Sequence, residues 1–417
     1  MSQNMRTKKL PSEFQMMKIR KKFIRILIIR SMHSLNQKNV SAKGGSASGG
    51  KKILLVTRPL SPPWDEASKN FAYYLAKNVD GFQFTLLVNK IIKGLPENIQ
   101  QERIYTSSNF GFLQKLYLLR YLRRYLRRFD IAHFVFTPTK LSSALIKKFA
   151  LNNKVGTLQT IATLREDLFS DEEIKKLIFG NLAVTYSDYA KNKLEKLGLK
   201  NTKRIYPGID LGHYSSAPKN IKLINDLGIS GNDFVIVYPG EYTRLGATDD
   251  IAKSLPQIFK SIPNAKFIFA CRIKGTGDIQ KKKEIKNKLQ DKGLLSKITF
   301  IDTFSDMPKL YNLSDVVIFP AKDMKGKFDV PLVVVEAMAC EKPVIISDLP
   351  VLKEFANSHN SVTIKSGDVK QLIEATSDLY KNKSKREEIG KNARKYAEEN
   401  FDIKKVAEEY KKIYESL

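Results

Sequence analysis

Short apolar runs alternate with amphipathic or polar stretches over most of the chain. The clearest runs are Ile53–Thr57, Phe84–Val88, Ile131–Phe136 and Val155–Ile161 in the first half, and Phe234–Gly240, Lys266–Ala270, Lys297–Ile301 and Asp315–Pro320 in the second. Continuous apolar runs of this length are typical of buried parallel strands. Strands that alternate with helices predict an α/β fold with parallel sheets. A turn over Arg204–Asp210 separates the two halves, so the pattern predicts two Rossmann-like domains with parallel sheets facing a central cleft.

The first 50 residues have a different pattern. Lys18–Arg30 is basic with short apolar runs that charges interrupt, so it does not predict a bilayer-spanning segment or a signal peptide. Gly44–Gly50 has the composition of a flexible linker. We therefore predict a basic, disordered tail with a linker over residues 1–50, an N-terminal domain over 51–214 and a C-terminal domain over 215–400. Contact of the tail with a membrane and a tail without a role remain alternatives.

The stretch Phe328–Pro343 contains a candidate ligand-binding residue. A short loop through Pro331 opens into an apolar helix that places Glu336 in its first turns. A carboxylate is favoured near a helix N-terminus, and helix starts in α/β proteins often border ligand clefts. A buried amphipathic helix whose single acid is exposed or capping is the alternative from spacing alone.

The same stretch resembles the acidic signature of GT-B glycosyltransferases of family 4, which runs Glu-x7-Glu followed by Ala-Met-Ala-Cys-Gly-x-Pro-Val. The matching positions are Pro331, Leu332, Glu336–Cys340 and Pro343–Ile345. Phe328 stands at the first Glu of the signature, and Glu341 stands at the Gly. The resemblance implies that Glu336 holds the ribose of a nucleotide donor and that Asp329 lies near the donor sugar. It also implies that a helix over about 401–417 packs back on the N-terminal domain.

The resemblance extends to the strand that ends at Gly240. Family members continue with an Arg and a Lys that neutralise the donor diphosphate, but here Glu241 and Leu245 occupy those positions. Arg244 is the predicted phosphate ligand, because a guanidinium can bind two phosphate oxygens. Arg272 follows another strand end and is either a second cation for the donor or a surface arginine. The donor residues implied are Gly240, Arg244, Arg272, Phe328, Val330, Pro331, Leu332 and Glu336.

The loop over Pro62–Asn70 resembles the segment of these enzymes that lines the cleft near the acceptor. The predicted acceptor contacts are Asp65, Glu66, Lys69, Asn70 and Thr160. Ala162 stands where many family members have a His, so no catalytic histidine is predicted. His133 lies within an apolar strand and is predicted to be a core residue.

The net charge of +29 changes the expected partners. Such a charge favours anionic ligands or surfaces. Residues 115–128 form a basic amphipathic helix with aromatic residues, which favours an anionic membrane surface. No nucleic-acid-binding signature accompanies this helix, so no specific nucleic acid is predicted, although a packing helix with solvated arginines remains an alternative. Two cysteines and four histidines give no sign of a disulfide framework or a metal site.

The resemblance, taken with these observations, implies a retaining, metal-independent glycosyltransferase without a cofactor, which uses a nucleotide-sugar as substrate and Arg244, Glu336 and Asp329 as its catalytic set. The acceptor is predicted to be a glycan or a lipid-linked molecule in cell-surface polysaccharide or glycolipid synthesis. The expected location is cytoplasmic, at the inner face of the membrane. A catalytically degenerate GT-B protein that serves as a membrane-associated partner or scaffold is the alternative. An RNA-binding protein is a third interpretation, which rests on charge alone.

Overall fold

The computed structural model describes residues 50–62, 64, 66–149 and 154–417. The predicted tail, apart from Gly50, and the predicted acceptor residue Asp65 lie outside these residues. The described chain forms two parallel sheets of seven and six strands, with helices in most connections between successive strands. This is the two-domain α/β fold that the apolar runs predict.

The N-terminal sheet has the strand order β3-β2-β1-β4-β5-β6-β7. Its strands are β1 (Lys52–Leu60), β2 (Gln83–Val88), β3 (Ile99–Arg103), β4 (Ile131–Val135), β5 (Gly156–Ile161), β6 (Leu182–Thr185) and β7 (Thr202–Arg204). The accompanying helices are α1 (Ala67–Asn78), α2 (Phe112–Tyr125), α3 (Lys140–Phe149), α4 (Asp171–Leu177) and α5 (Asp188–Lys196).

The C-terminal sheet has the order β10-β9-β8-β11-β12-β13. Its strands are β8 (Phe234–Tyr238), β9 (Ala265–Ala270), β10 (Ile298–Ile301), β11 (Val316–Phe319), β12 (Val344–Ser347) and β13 (Val362–Ile364). Its helices are α6 (Ile221–Asp226), α7 (Ala247–Ser261), α8 (Thr276–Gln290), α9 (Met307–Leu313), α10 (Leu332–Ala339), α11 (Pro350–Lys353), α12 (Val369–Lys381) and α13 (Lys383–Asn400), and α14 (Ile403–Ser416) follows.

Local sequence explains where several helices begin. Ser170 and Glu173 form a reciprocal capping box at the start of α4, and Ser187 caps α5 by accepting from a backbone N–H. Such side chains satisfy N–H groups that the first helical turn leaves without partners. In β4 and β8 every residue is buried, because helices cover both faces of each sheet.

Two segments of the chain, at Ile209 and at Phe401–Ile403, pass between the domains next to each other. The backbone of Ile209 accepts from the N–H of Ile403 at 3.0 Å and donates to the carbonyl of Phe401 at 2.9 Å. A side chain at Gly208 would lie 2.7 Å from the Cα of Ile403, so only glycine allows this approach. Helix α14 then packs Tyr410 and other residues into the core of the N-terminal sheet.

Within the described part of the chain, every helix is too short or too polar to span a bilayer.

Candidate active site in the interdomain cleft

A cavity of about 1340 Å³ lies between the two sheets and is lined by residues of both domains. Gly240 and Arg272 line it just after the carboxyl ends of β8 and β9, and Glu336 lines it from α10. Ligands of open parallel sheets bind beyond the carboxyl ends of their strands. The cavity is also larger than most small-ligand pockets. It therefore has room for a donor and part of an acceptor.

Glu336 lies in the wall of this cleft with only 7% of its surface exposed. The hydroxyl of Tyr311 donates to its Oε2 at 2.8 Å, and Tyr214 is a second tyrosine beside the carboxyl group. Burial raises the pKa of the Glu336 carboxyl to about 7, although both tyrosines favour the ionised form. Glu336 is neither an exposed acid nor a helix cap, so its position favours a ligand-facing role.

Four charged residues form what we call the Glu241 cluster: Glu241, Arg244, Lys274 and Lys327. The Nε of Arg244 lies 3.0 Å from Oε2 of Glu241. The Nζ atoms of Lys274 and Lys327 lie 2.6 and 2.8 Å from Oε1. All four residues line the cleft, so three cations converge on one carboxylate in its wall.

The charges of this cluster are strongly coupled. Burial alone would raise the pKa of Glu241, but Lys327 and Lys274 outweigh burial and lower this pKa to about 2. Burial lowers the pKa of Lys327, with Lys274 and Arg244 acting in the same direction and Glu241 opposing them. Glu241 is therefore fully ionised at neutral pH, and it holds cations that repel one another.

The structure brings most of the predicted donor residues together. The predicted residues that line the cleft are Gly240, Arg244, Arg272, Phe328, Pro331, Leu332 and Glu336. Val330 is fully buried in the C-terminal core and does not line the cleft. A β-carbon at Gly240 would lie within 2.5 Å of the Tyr238 ring. Glycine is therefore needed here, and the backbone of this position meets the cleft without a side chain.

Asp329 does not reach the cleft, contrary to the expectation that it lies near a donor sugar. Its carboxylate accepts a hydrogen bond from the hydroxyl of Ser187, and its backbone N–H donates to the carbonyl of Ala162 at 2.9 Å. Burial raises the pKa of Asp329 to about 7, against the hydrogen bonds from Ser187 and Thr163. Neighbouring side chains leave the backbone in different directions, so Phe328 faces the cleft and Asp329 joins the two domains.

Two of the predicted acceptor residues line the cleft in the Pro62–Asn70 segment. Glu66 pairs with Arg58 at 2.7 Å. Asn70 donates from Nδ2 to the carbonyl of Trp64 at 3.2 Å, while its buried Oδ1 has no hydrogen-bond partner. Lys69 is buried beside the carbonyl of Ser61 and does not line the cleft. Glu66 and Asn70 are thus the predicted acceptor residues of this segment that border the cleft.

Thr160 also borders the cleft, but its hydroxyl is engaged by the core. It lies 2.7 Å from Nε2 of His133 and 3.1 Å from the hydroxyl of Tyr410. Nδ1 of His133 lies 2.7 Å from the hydroxyl of Tyr414, which extends the hydrogen-bond network. Burial lowers the pKa of the imidazole to about 3. His133 is a neutral core residue, as its apolar strand predicts, and Thr160 belongs to the same packed network.

Sequence reasoning missed Lys274, Lys327 and the two tyrosines on Glu336. Lys274 lies two residues beyond Arg272, so the strand-end rule that selected Arg272 would have reached it. Lys327 directly precedes the Phe328–Pro343 stretch. No local signal pairs either lysine with Glu241. Among the described residues, no group of three or more His, Cys, Asp or Glu is arranged to hold a metal ion, and metal independence stays a prediction.

The chain is similar in sequence and in fold to several known proteins. Residues 219–396 match the family described as Glycosyl transferases group 1. Spore coat protein SA of Bacillus subtilis is 26% identical over 313 residues, which are 69% of this chain and 78% of that protein. The capsular polysaccharide biosynthesis glycosyltransferase CapM of Staphylococcus aureus is 26% identical over 249 residues, or 58% of this chain and 59% of that protein.

Among solved structures, Anabaena HepE in complex with UDP and glucose superposes with a TM-score of 0.72 at 21% identity. The match covers 88% of this chain and 100% of that chain. Identity at this level shows the fold, which is the two-domain arrangement described above. Residues 219–396 thus match the glycosyl transferases group 1 family, and the described chain has the two-domain fold of the GT-B glycosyltransferases that it resembles.

Proposed function

We propose that this protein transfers a sugar from a nucleotide-sugar to a glycan or lipid-linked acceptor, with retention of configuration and without a metal, in cell-surface polysaccharide or glycolipid synthesis. One observation carries the proposal: a buried carboxylate, Glu336, and a cation, Arg244, line the same cleft at the carboxyl ends of the C-terminal sheet. A nucleotide-sugar needs both, because its ribose donates hydrogen bonds and its diphosphate requires positive charge.

The donor would lie along the C-terminal wall of the cleft. Glu336 would accept hydrogen bonds from the ribose hydroxyls, since it lines the cleft and the hydroxyl of Tyr311 restrains its carboxylate. Arg244 would bind phosphate oxygens. Its Nη1 donates to the carbonyl of Gly326 at 3.0 Å, which restrains the guanidinium without using all of its N–H groups. UDP is the first nucleotide to test, because the structure of HepE contains it.

The reaction would depend mainly on electrostatic stabilisation of the leaving group. Negative charge grows on the diphosphate as the glycosidic bond breaks, and a fixed cation such as Arg244 stabilises that charge most in the transition state. Asp329 is held by Ser187 in the contact between the domains, so it does not serve as a nucleophile. Retention would then follow the front-face attack by the acceptor that the family resemblance implies.

The acceptor would enter over the N-terminal wall, beside Asn70. Phe112 and Leu141 are exposed and line the same cavity, which gives this end an apolar surface suited to a lipid. Helix α2 carries exposed arginines next to this surface, namely Arg120, Arg123 and Arg124, and Arg127 and Arg128 follow in the next turn. We propose that this face docks on the anionic inner surface of the cell membrane.

The degenerate-partner alternative has one observation in its favour. The family positions for two phosphate-binding cations hold Glu241 and Leu245, and Leu245 is fully buried. A protein of this kind would keep the fold and the membrane face but would bind no nucleotide. Measured nucleotide binding therefore separates it from an active transferase.

The test is a thermal-shift panel with UDP, GDP, ADP and CMP on the wild-type protein, Glu336→Ala and Glu374→Ala. A ligand that binds only the folded state raises the melting temperature once its concentration exceeds the dissociation constant. We expect a shift with UDP in the wild type and in Glu374→Ala, whose carboxylate is exposed on α12, and no shift in Glu336→Ala. Absence of a shift with every nucleotide would support the degenerate partner.

A further inference from the structure

We propose that Glu241 is a positioning residue that holds Arg244, Lys274 and Lys327 as a three-cation cradle for the two phosphates of the donor. The proposal rests on the proposed function, because it assigns the diphosphate subsite of the same cleft. It gives a role to the acid that replaces a phosphate-binding arginine of the family. It also adds two ligands, Lys274 and Lys327, that no motif assigns.

The geometry uses both oxygens of one carboxylate. Oε2 forms an ion pair with Arg244, and Oε1 accepts hydrogen bonds from both lysines, at the distances given above. The three cations come from three different loops, which follow β8, β9 and β11. Without a shared counter-ion they would repel one another, and flexible lysine side chains would spread into solvent. Glu241 therefore fixes where the three charges lie.

The exposures show which side of the cluster meets a ligand. The side chain of Glu241 is 6% exposed, whereas those of Arg244, Lys274 and Lys327 are 37, 34 and 20% exposed. The carboxylate thus lies beneath the cations, and the cations form the surface that faces the cleft. An incoming phosphate would meet the cations first and would not have to displace the acid.

The cations keep hydrogen-bond donors for that phosphate. An ammonium group has three N–H donors, and Glu241 accepts one from each lysine. A guanidinium has five, and the carbonyl of Gly326 accepts one from Arg244. Three positive charges and one negative charge leave the cluster with a net charge of +2. A nucleoside diphosphate carries the opposite charge, and charge-assisted bonds to phosphate are among the stronger hydrogen bonds in proteins.

A second acid fixes the loop that carries Lys274. The backbone N–H of Lys274 donates to Asp278 at 3.0 Å, and the hydroxyl of Thr243 donates to the other oxygen of Asp278 at 2.8 Å. Thr243 directly precedes Arg244, so these bonds tie two of the three cation-bearing loops together. Hydrogen bonds to the backbone and to side chains therefore restrain the cradle, unlike lysines that project freely from a surface.

The experiment measures the binding of inorganic pyrophosphate, UDP and uridine by calorimetry at low and moderate salt. The variants are Lys274→Met, Lys327→Met, Lys327→Arg, Glu241→Gln and the control Lys325→Met, whose exposed lysine pairs with Asp323. We expect each lysine-to-methionine change in the cradle to weaken pyrophosphate and UDP about tenfold or more, and to leave uridine unchanged. Lys327→Arg should restore most of the affinity, and Lys325→Met should match the wild type.

The Glu241→Gln variant distinguishes a role of Glu241 in positioning the three cations from an effect of the net charge of the site alone. A positioning acid predicts weaker pyrophosphate binding in this variant, although its site gains one net positive charge. Tighter pyrophosphate binding by Glu241→Gln, or unchanged pyrophosphate binding by both methionine variants, would overturn the proposal, as would a wild type that does not bind pyrophosphate. Failure of the proposed function alone has a different signature: pyrophosphate binds and depends on the lysines, but Glu336→Ala does not alter the affinity for UDP or uridine.

Discussion

Replacing Glu336 with glutamine should change how the stability of this protein depends on pH. The carboxyl group is buried, and its pKa in the folded protein is about 7, against an ordinary value of 4.5. The folded state therefore holds the proton more tightly than the unfolded chain. The contribution of Glu336 to the free energy of unfolding is most favourable below pH 4.5, falls as the pH rises towards 7, and is constant above that.

The size of this effect follows from the two pKa values. The interval from 4.5 to about 7, at about 1.4 kcal/mol per pH unit, corresponds to about 3 kcal/mol. Most of this change falls between pH 5 and pH 8. Glutamine has a similar shape and keeps an oxygen that can accept from Tyr311, but it carries no proton to lose. The wild type should therefore lose about 3 kcal/mol relative to Glu336→Gln as the pH rises.

The assay is urea unfolding of both proteins from pH 5 to pH 8, with the difference in free energy plotted against pH. Other titrating groups, including Asp329, cancel in this difference because both proteins contain them. Glu341→Gln alters an exposed carboxylate just beyond the same helix and serves as the control. A difference that stays flat across this range, or that rises in favour of the wild type, would refute the assignment of a proton-binding, buried Glu336.

Three further predictions follow from other parts of the structure. Glu341 has a positive φ of 57°, so Glu341→Gly should stabilise the protein by about 1 kcal/mol in urea unfolding, and Glu341→Ala, which keeps the β-carbon, should not. Reversing Arg123 and Arg127 to glutamate should weaken binding to vesicles containing anionic lipid at least about tenfold in a sedimentation assay, and unchanged binding would exclude this face as the docking surface. Ser187→Ala removes a hydroxyl from buried Asp329 and should lower stability by about 1–3 kcal/mol in thermal unfolding, whereas an unchanged melting temperature would mean that this contact between the domains contributes little.

The sequence predicts the strands well because buried parallel strands are continuous apolar runs. The run Lys266–Ala270 becomes a strand over Ala265–Ala270, and Ile53–Thr57 lies inside Lys52–Leu60. Covering helices exclude water from both faces of each sheet, so the pattern is visible without any long-range information.

The site is only partly readable from the sequence. Glu336 stands out because it belongs to a contiguous motif, and a helix places it in the cleft wall. The lysines of the Glu241 cluster meet their partner across 33 and 86 residues of chain, so no local pattern shows the contact. The predicted position of Asp329 near a donor sugar differs from the structure for another reason. Adjacency to Phe328 in the sequence does not determine the direction of the Asp329 side chain.

Helix α14 has a consequence for how the protein is made. The N-terminal core contains Ile403, Tyr410 and Tyr414 together with residues of β1 such as Ile53. A ribosome adds these three residues only after it has synthesised the whole C-terminal sheet. The N-terminal domain therefore emerges with an unfilled apolar groove and cannot reach its final packing during its own synthesis. The C-terminal domain, whose strands and helices are contiguous in the chain, can complete its fold first.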